Sequence, residues 1–146
     1  MLNIQNILAP IELESGCAEV ARTAVQLALM FKANLHVLHV DDPLAGTPTL
    51  VAGSAHTPPH SQDDLRSRVA ECVPEEMLAS VHTTYTVTKG DRVEKIVEYS
   101  RDQAIDLIVV GNHLEGPLER LFFSSVEEAL INKAQCHIFA VYLEDK

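Results

Sequence analysis

The chain has 146 residues, of which 47% are hydrophobic and 22% are charged, and its formal net charge is −10. This length and composition are typical of one globular domain, 1–146, with a single sizeable core. The acidic balance argues against nucleic acid or an anionic membrane surface as a partner, because phosphate groups are bound by clustered lysine and arginine. No apolar run approaches the roughly 20 residues that cross a membrane, and no signal-peptide pattern opens the chain. We therefore expect a cytoplasmic protein.

Short apolar runs alternate with helical patterns along the whole chain. The predicted strands are residues 4–9, 35–40, 81–88, 106–110 and 137–143. Helical spacing of apolar residues predicts helices between them, at about 15–32, from about 61 to 73, at 93–102 and from 125 onward. In the first of these helices the predicted inward stripe runs from Cys17 to Phe31. Such alternation favours an α/β fold with a parallel sheet and helices on both of its faces.

In such sheets, ligands bind beyond the carboxyl ends of the strands, where the strand order reverses. Three segments are predicted to meet there: residues 10–12, 40–42, and the stretch that begins at Gly111. In that stretch Gly111 is expected to stop an apolar strand, and the serine pair at 124–125 opens a helix. Backbone N–H groups and the helix dipole would suit an anion there. An ordinary strand-to-helix connection would have the same composition.

Histidine and cysteine patterns do not predict a metal site. His36 and His39 lie three residues apart in one predicted strand, so their side chains point to opposite faces and cannot share an ion. His56 and His60 lie in a proline-rich loop and lack a third ligand with diagnostic spacing. The odd number of cysteines, without C-x-x-C spacing, favours reduced core thiols, and these are Cys17, Cys72 and Cys136.

Five segments of the chain resemble the universal stress protein family: ILAPIE, LHVLHVDDP, KGDRVEKIVEYSRDQAIDLIVVGNH, LERLFFSSVEEAL and CHIFAVYL. The resemblance implies a five-stranded parallel sheet in the order 3-2-1-4-5, a Rossmann-like fold of the adenine nucleotide alpha hydrolase type. It also implies a homodimer formed through the last strand, residues 137–143, and a stress-associated role.

The family's ATP-binding pattern is glycine, two residues, glycine, nine residues, glycine, and then serine or threonine. Gly111 matches its first position and Ser125 matches the hydroxyl position. Leu114 and Ser124 stand where the other two glycines are expected, and the Cβ and bulk of Leu114 would obstruct the phosphates. Gly116 is a candidate to replace the missing glycine through a shifted turn.

The remaining candidate residues also come from the resemblance. Glu12 stands where the family usually has aspartate, and it keeps an acceptor for the amino group of adenine. Val40 fits the apolar position beside the base, and Arg120 and Val126 suit the pattern around the phosphates. The full set implied for nucleotide binding is Pro10, Ile11, Glu12, Val40, Gly111, Gly116, Arg120, Ser124, Ser125 and Val126.

These observations predict a regulatory or protective binding module whose cleft binds ATP or AMP weakly or not at all. No catalytic residue is assigned, because Ser125 lacks a G-x-S-x-G context, and no metal is expected beyond Mg²⁺ accompanying ATP. One alternative is an ATP-binding member with slow ATPase activity, in which Arg120 and the N–H groups of Ser124 and Ser125 stabilise phosphate charge. Another is a partner-binding dimer with a blocked cleft.

Overall fold

The computed structural model describes residues 2–12, 17–42, 61–112 and 125–143. One parallel sheet has the strand order β3-β2-β1-β4-β5, which confirms the order that the family resemblance implied. Its strands are β1 (Asn6–Pro10), β2 (Asn34–Asp41), β3 (Thr83–Lys89), β4 (Leu107–Asn112) and β5 (His137–Tyr142). The helices are α1 (Cys17–Phe31), α2 (Gln62–Cys72), α3 (Glu75–Ala79), α4 (Arg92–Asp102) and α5 (Ser125–Lys133).

Side-chain caps define where two of these helices begin. The Ser61 hydroxyl accepts a hydrogen bond from the Asp64 N–H at the start of α2, and the Asp91 carboxylate accepts one from the Glu94 N–H at the start of α4. Each cap satisfies an N–H group that has no partner within its own helix. Helix α1 buries a small-residue stripe, as predicted, but the prediction that Phe31 faces the core is wrong. Phe31 ends the helix and is 38% exposed.

The two faces of the sheet carry separate cores, because successive residues of each strand point to opposite sides. The first core lies under α1, α2 and α3 and includes Ile7, Ala9 and Ile11 of the first strand segment. The second core lies under α4 and α5 and includes Leu8 and Ile108. This two-sided burial explains why the strands are almost continuously apolar in sequence.

Strand β4 is longer than the sequence indicates. Gly111 was expected to stop it, yet β4 continues through Gly111 and Asn112, which pair with Val141 and Tyr142 of β5. The neighbouring strand supplies ladder partners for both residues, so the glycine weakens the strand without ending it.

No helix among the described residues is long and apolar enough to cross a membrane. Within the same ranges, no group of three or more histidine, cysteine, aspartate or glutamate side chains is placed to hold a metal ion. The three cysteines are free and partly buried, and each packs against one of the two cores, in agreement with the prediction of core thiols. The predicted loop of residues 43–60 lies outside the described residues.

Candidate functional site

The pairing of β1 with β4 ends before the carboxyl end of the sheet, and we call this unpaired place between the two strands the crevice. These adjacent strands pair at only two positions, Ile7 with Leu107 and Leu8 with Ile108, although both strands run on beyond them. In contrast, β1 stays paired with β2 as far as Pro10. The crevice lies where the strand order reverses, which is the position expected for a ligand in an open α/β sheet.

The segment that follows β1 forms the first wall of the crevice and is hydrogen-bonded to β2. The Ile11 N–H donates to the Leu38 carbonyl (2.8 Å), and the Ile11 carbonyl accepts from His39 Nδ1 (2.9 Å). Since a carbonyl can only accept, this contact places the proton of neutral His39 on Nδ1. His39 is 4% exposed, and its Nε2 has no hydrogen-bond partner among the described residues.

The two histidines of β2 point to opposite faces, as their spacing predicted. His39 reaches Ile11 on the α1 side, whereas His36 Nδ1 lies 2.8 Å from the Tyr99 hydroxyl of α4. The rings of His36 and Tyr99 meet edge to face, with their centroids 5.7 Å apart. Burial, and to a lesser extent the charge of His82, lowers the pKa of His36. Both histidines are therefore structural side chains rather than a shared metal site.

The carboxylate of Glu12 is held in an ion pair with the guanidinium of Arg92, which is the first residue of α4. The backbone N–H of Arg92 donates to the Asp42 carboxylate (3.1 Å). One arginine thus links the segments that follow β1, β2 and β3, across about 10 Å of sheet edge at normal strand spacing. The Arg92 and Glu12 side chains are 26% and 28% exposed, so the pair is only partly shielded from solvent.

A glycine turn sets the position of Arg92. Gly90 has a φ of +142°, a conformation that side chains other than glycine rarely adopt, and a Cβ there would lie 2.8 Å from Lys95 Cε. The Gly90 N–H donates to the Asp41 carbonyl (3.1 Å), which joins the turn to the end of β2. Arg92 was not among the residues predicted from the sequence, although a glycine–aspartate turn followed by arginine at the carboxyl edge of a sheet was a signal for it.

The second wall of the crevice is the end of β4, with Val110 and Gly111 both buried. Val40 is 5% exposed and packs with Val110 and Leu8 in the second core. Residues 10–12 thus continue from β1 and Gly111 lies near the end of β4, on the two strands that flank the reversal of strand order, and Val40 lies largely in the second core.

Several predicted site residues cannot be compared with the fold. Leu114, Gly116, Arg120 and Ser124 lie outside the described residues. The residues Ser125 and Val126 begin α5, but their side chains are not among the described groups. Their roles in nucleotide binding therefore stay predictions.

Two cavities, of about 310 and 430 Å³, lie between α4 and α5 and include none of the predicted site residues. Each is lined in part by Val97, Arg101 and Lys133. Neither cavity lies between β1 and β4, where the strand order reverses and a ligand is expected. The crevice therefore remains the candidate site.

Comparison with known proteins finds relatives that match nearly the whole chain. The chain is 28% identical over 155 residues to "Universal stress protein A homolog 1" of Coxiella burnetii, covering 99% of this chain and 100% of that protein. It is 24% identical over 145 residues to "Universal stress protein YxiE" of Bacillus subtilis, covering 92% of this chain and 97% of that protein. A crystal structure of a universal stress protein in complex with cAMP has a TM-score of 0.71 and 19% identity, covering 98% of this chain and 100% of that one.

The chain also matches a model of a whole protein family. The model of the universal stress protein family matches residues 3–141, which is nearly the whole chain. The protein therefore belongs to the universal stress protein family.

Proposed function

We propose that this protein is a cytoplasmic regulatory or protective binding module whose crevice binds adenine nucleotides weakly or not at all. The observation that supports the proposal most is the ion pair between Glu12 and Arg92. Glu12 is the acceptor that the family resemblance assigns to the amino group of adenine. In this chain that carboxylate already has a charged partner.

An adenine base would have to compete with the guanidinium for the same carboxylate. The guanidinium adds the attraction of a full positive charge to its hydrogen bond with the carboxylate, whereas the adenine amino group is neutral and offers a hydrogen bond alone. The arginine is also anchored by its own backbone N–H to Asp42, so the pair is preorganised by the fold. Recognition of the base through Glu12 is therefore weakened.

The sequence around the phosphate end supports the same conclusion. Gly111 is present at the end of β4, but Leu114 and Ser124 replace two glycines of the family pattern. A leucine side chain in a phosphate cradle would occupy the space that the phosphates need. The ion pair at the base end and the two replaced glycines at the phosphate end both disfavour tight triphosphate binding. They therefore also disfavour the slow-ATPase alternative.

Adenine nucleotides are nevertheless the ligand class to test, because a relative of this fold is known in complex with cAMP. Thermal unfolding should be followed with and without about 1 mM ATP, AMP or cAMP, since a ligand of the native state must raise its Tm. We expect the wild-type Tm to change by less than about 1 °C, and Leu114→Gly to restore a measurable rise with ATP.

Leu2→Gly is the matched control, because Leu2 is 63% exposed at the other end of the sheet. The Tm of Leu2→Gly should not rise with ATP. A strong shift of the wild type by ATP, together with ATP hydrolysis, would replace the binding-module proposal with the ATPase alternative.

We also propose that the protein forms a homodimer through β5. This strand is an edge of the sheet and carries two exposed aromatic residues, Phe139 (42% exposed) and Tyr142 (76% exposed). An exposed apolar edge strand offers unpaired backbone groups to another chain. The opposite edge strand, β3, is different: it is polar, and its Tyr85 is buried beneath Arg66 of α2.

Replacing Phe139 and Tyr142 together by aspartate should convert the dimer to a monomer of 16.1 kDa. Sedimentation or light scattering would measure the mass. Thr84→Asp, at an exposed position of β3, is the matched control and should stay dimeric. Val141 is unsuitable for this test because it is 8% exposed and packs in the first core, where a charge would disturb folding. A wild-type protein that sediments as a monomer at micromolar concentration would remove this part of the proposal.

A further inference from the structure

The smaller of the two cavities between α4 and α5 lies where both helices end. Its volume is about 310 Å³, and it is bounded by the last turns of the two helices and by the residues that follow each of them. We call it the helix-end cavity. Small-molecule sites in proteins occupy roughly 300–1,000 Å³, so this cavity has room for one compound of about ten non-hydrogen atoms.

The charged side chains that line the helix-end cavity are both positive. Arg101 lies in the last turn of α4, and Lys133 is the last residue of α5. Among the described residues, no aspartate or glutamate lines this cavity, although acidic residues outnumber basic ones by 21 to 11 in the whole chain. Two cations that border one small space repel each other, and an anion between them stabilises both. The charge pattern therefore favours a negatively charged ligand.

Arg101 already contacts one carboxylate, but this contact leaves the guanidinium able to bind another. Its Nε lies 3.3 Å from an Asp102 carboxylate oxygen, and the two side chains are 72% and 55% exposed. An exposed ion pair of this kind contributes little to stability. A guanidinium also has five N–H donors in a fixed fork, so it can bind a second carboxylate beside the first.

The neighbouring cavity of about 430 Å³ determines the direction in which such a ligand would lie. It shares Arg101 and Lys133 with the helix-end cavity, but it is also lined by three carboxylates, those of Asp91, Glu94 and Glu98. These carboxylates repel an anion. The body of the ligand is therefore expected to extend from the two cations into the helix-end cavity.

The inner surface of the helix-end cavity is uncharged. Ile105 and Ser100 are each 6% exposed, and the Ser100 hydroxyl donates to the Val97 carbonyl (2.8 Å), so its hydrogen already has a partner. Burial, followed by the charge of Asp106, raises the pKa of the Cys136 thiol, which therefore stays protonated at neutral pH. An apolar group can pack against this surface without leaving a buried charge unpaired.

One wall of the cavity carries a methyl group where glycine would fit the backbone more easily. Ala104 lines the cavity and has a φ of +52°, in the left-handed region that favours glycine. Hydrogen bonds from the Ala104 N–H to the Arg101 carbonyl (3.3 Å) and from the Ile105 N–H to the Ser100 carbonyl (2.9 Å) hold this turn. The Ala104 methyl group thus adds apolar surface to a wall that the backbone fixes in place.

We propose that the helix-end cavity binds a small organic anion, whose carboxylate contacts Arg101 and Lys133 and whose apolar body packs against Ala104 and Ile105. The guanidinium offers the carboxylate a pair of parallel donors, and the ammonium adds a second positive charge. For a ligand of about ten non-hydrogen atoms we expect a Kd of about 0.1–1 mM. The site is separate from the crevice, so it does not depend on whether the crevice binds a nucleotide.

The test is an NMR titration of the folded full-length protein with phenylacetate at up to about 10 mM, followed through the backbone amide signals. We expect saturable shifts at Ala104, Ile105 and Cys136 and none at Gly111 in the crevice. The comparison ligand is 2-phenylacetamide, which has nearly the same shape but no charge. It should bind roughly tenfold more weakly than phenylacetate.

Two variants test the contacts to the carboxylate. Arg101→Gln and Lys133→Gln should each weaken the binding of phenylacetate roughly threefold, and the double variant roughly tenfold, while the binding of 2-phenylacetamide changes little. Lys95→Gln is the matched control, because Lys95 is also a cation of α4 but lines neither cavity and contacts Glu98. It should bind phenylacetate like the wild type.

Ala104→Gly separates a contact with the ligand from a purely structural role. Glycine adopts a positive φ more easily, so the Tm should not fall. Phenylacetate should nevertheless bind about threefold more weakly, because one methyl contact is lost. The absence of saturable shifts at the cavity amides, equal binding of phenylacetate and 2-phenylacetamide, or unchanged phenylacetate binding in the double variant of Arg101 and Lys133 would overturn the proposal.

Discussion

The two ends of the β1–β4 pair are built in opposite ways. At the amino end, the Asp106 carboxylate accepts hydrogen bonds from the Gln5 N–H (2.8 Å) and the Asn6 N–H (2.9 Å), and the Asp106 N–H donates to the Asn6 carbonyl (2.9 Å). At the carboxyl end, the ladder stops after Leu8 and Ile108 although both strands continue. One strand pair is thus closed at one end and open at the other.

This difference explains how the fold makes a crevice without weakening the sheet. The closed end fixes the register between β1 and β4. At the open end each strand is supported from its other side, β1 by β2 and β4 by β5. Function is therefore expected at the open end and stability at the closed end, and the two can be tested separately.

Asp106→Ala should have the largest effect on stability. It removes an ionised acceptor from two backbone N–H groups, and we expect the free energy of unfolding to fall by about 1–2 kcal/mol. Urea denaturation would measure this change. Asp106→Asn keeps one acceptor oxygen and should lose less.

Asp102→Ala is the matched control for this prediction, because the Asp102 carboxylate contacts the exposed Arg101 of the same helix end. It should change stability little, as is usual for an exposed ion pair. If Asp102→Ala is as destabilising as Asp106→Ala, the closed end has no special role in fixing β1 against β4.

Lowering the pH should destabilise the sheet near its closed end through His36. This residue is paired in register with Leu8, and its Nε2 lies 3.4 Å from Asn6 Oδ1. Burial, followed by the charge of His82, lowers the folded-state pKa of His36. The unfolded chain then binds more protons near and below its own pKa of about 6.5, so stability falls as the pH falls through that value. The loss ends once the pH is below the folded-state pKa.

The free energy of unfolding of His36→Asn should change less between about pH 7.5 and about pH 5.5 than that of the wild type. His137→Asn, at an exposed position of β5, is the matched control and should keep the wild-type dependence. An unchanged pH dependence in His36→Asn would mean that other groups account for the acid sensitivity.

The fold could be read from the sequence because its main signals are local. Short apolar runs between helical stripes gave the strands and helices, and the period of two in a strand correctly placed His36 and His39 on opposite faces. The strand order itself came from the family resemblance. The errors lie at element ends: Gly111 was taken as a stop because a glycine weakens a strand, but pairing with β5 extends the ladder past it.

The candidate site was less predictable, because its decisive contact is not local. Glu12 was identified as a possible base acceptor, but its pairing with Arg92 could not be predicted, because only the neighbouring positions of β3, β2 and β1 bring the two residues together.

The proposed role of the Glu12–Arg92 pair is tested most directly by a calorimetric titration with adenosine, which has no phosphate and so reports on the base end of the crevice alone. We expect a Kd weaker than about 1 mM for the wild type and a Kd about tenfold lower for Arg92→Gln, in which Glu12 loses its guanidinium partner. Arg101→Gln, an exposed arginine at the other end of α4, should bind like the wild type. Wild-type binding tighter than about 100 μM, or an Arg92→Gln variant that binds no better than Arg101→Gln, would contradict the claim that the Glu12–Arg92 pair suppresses recognition of the base.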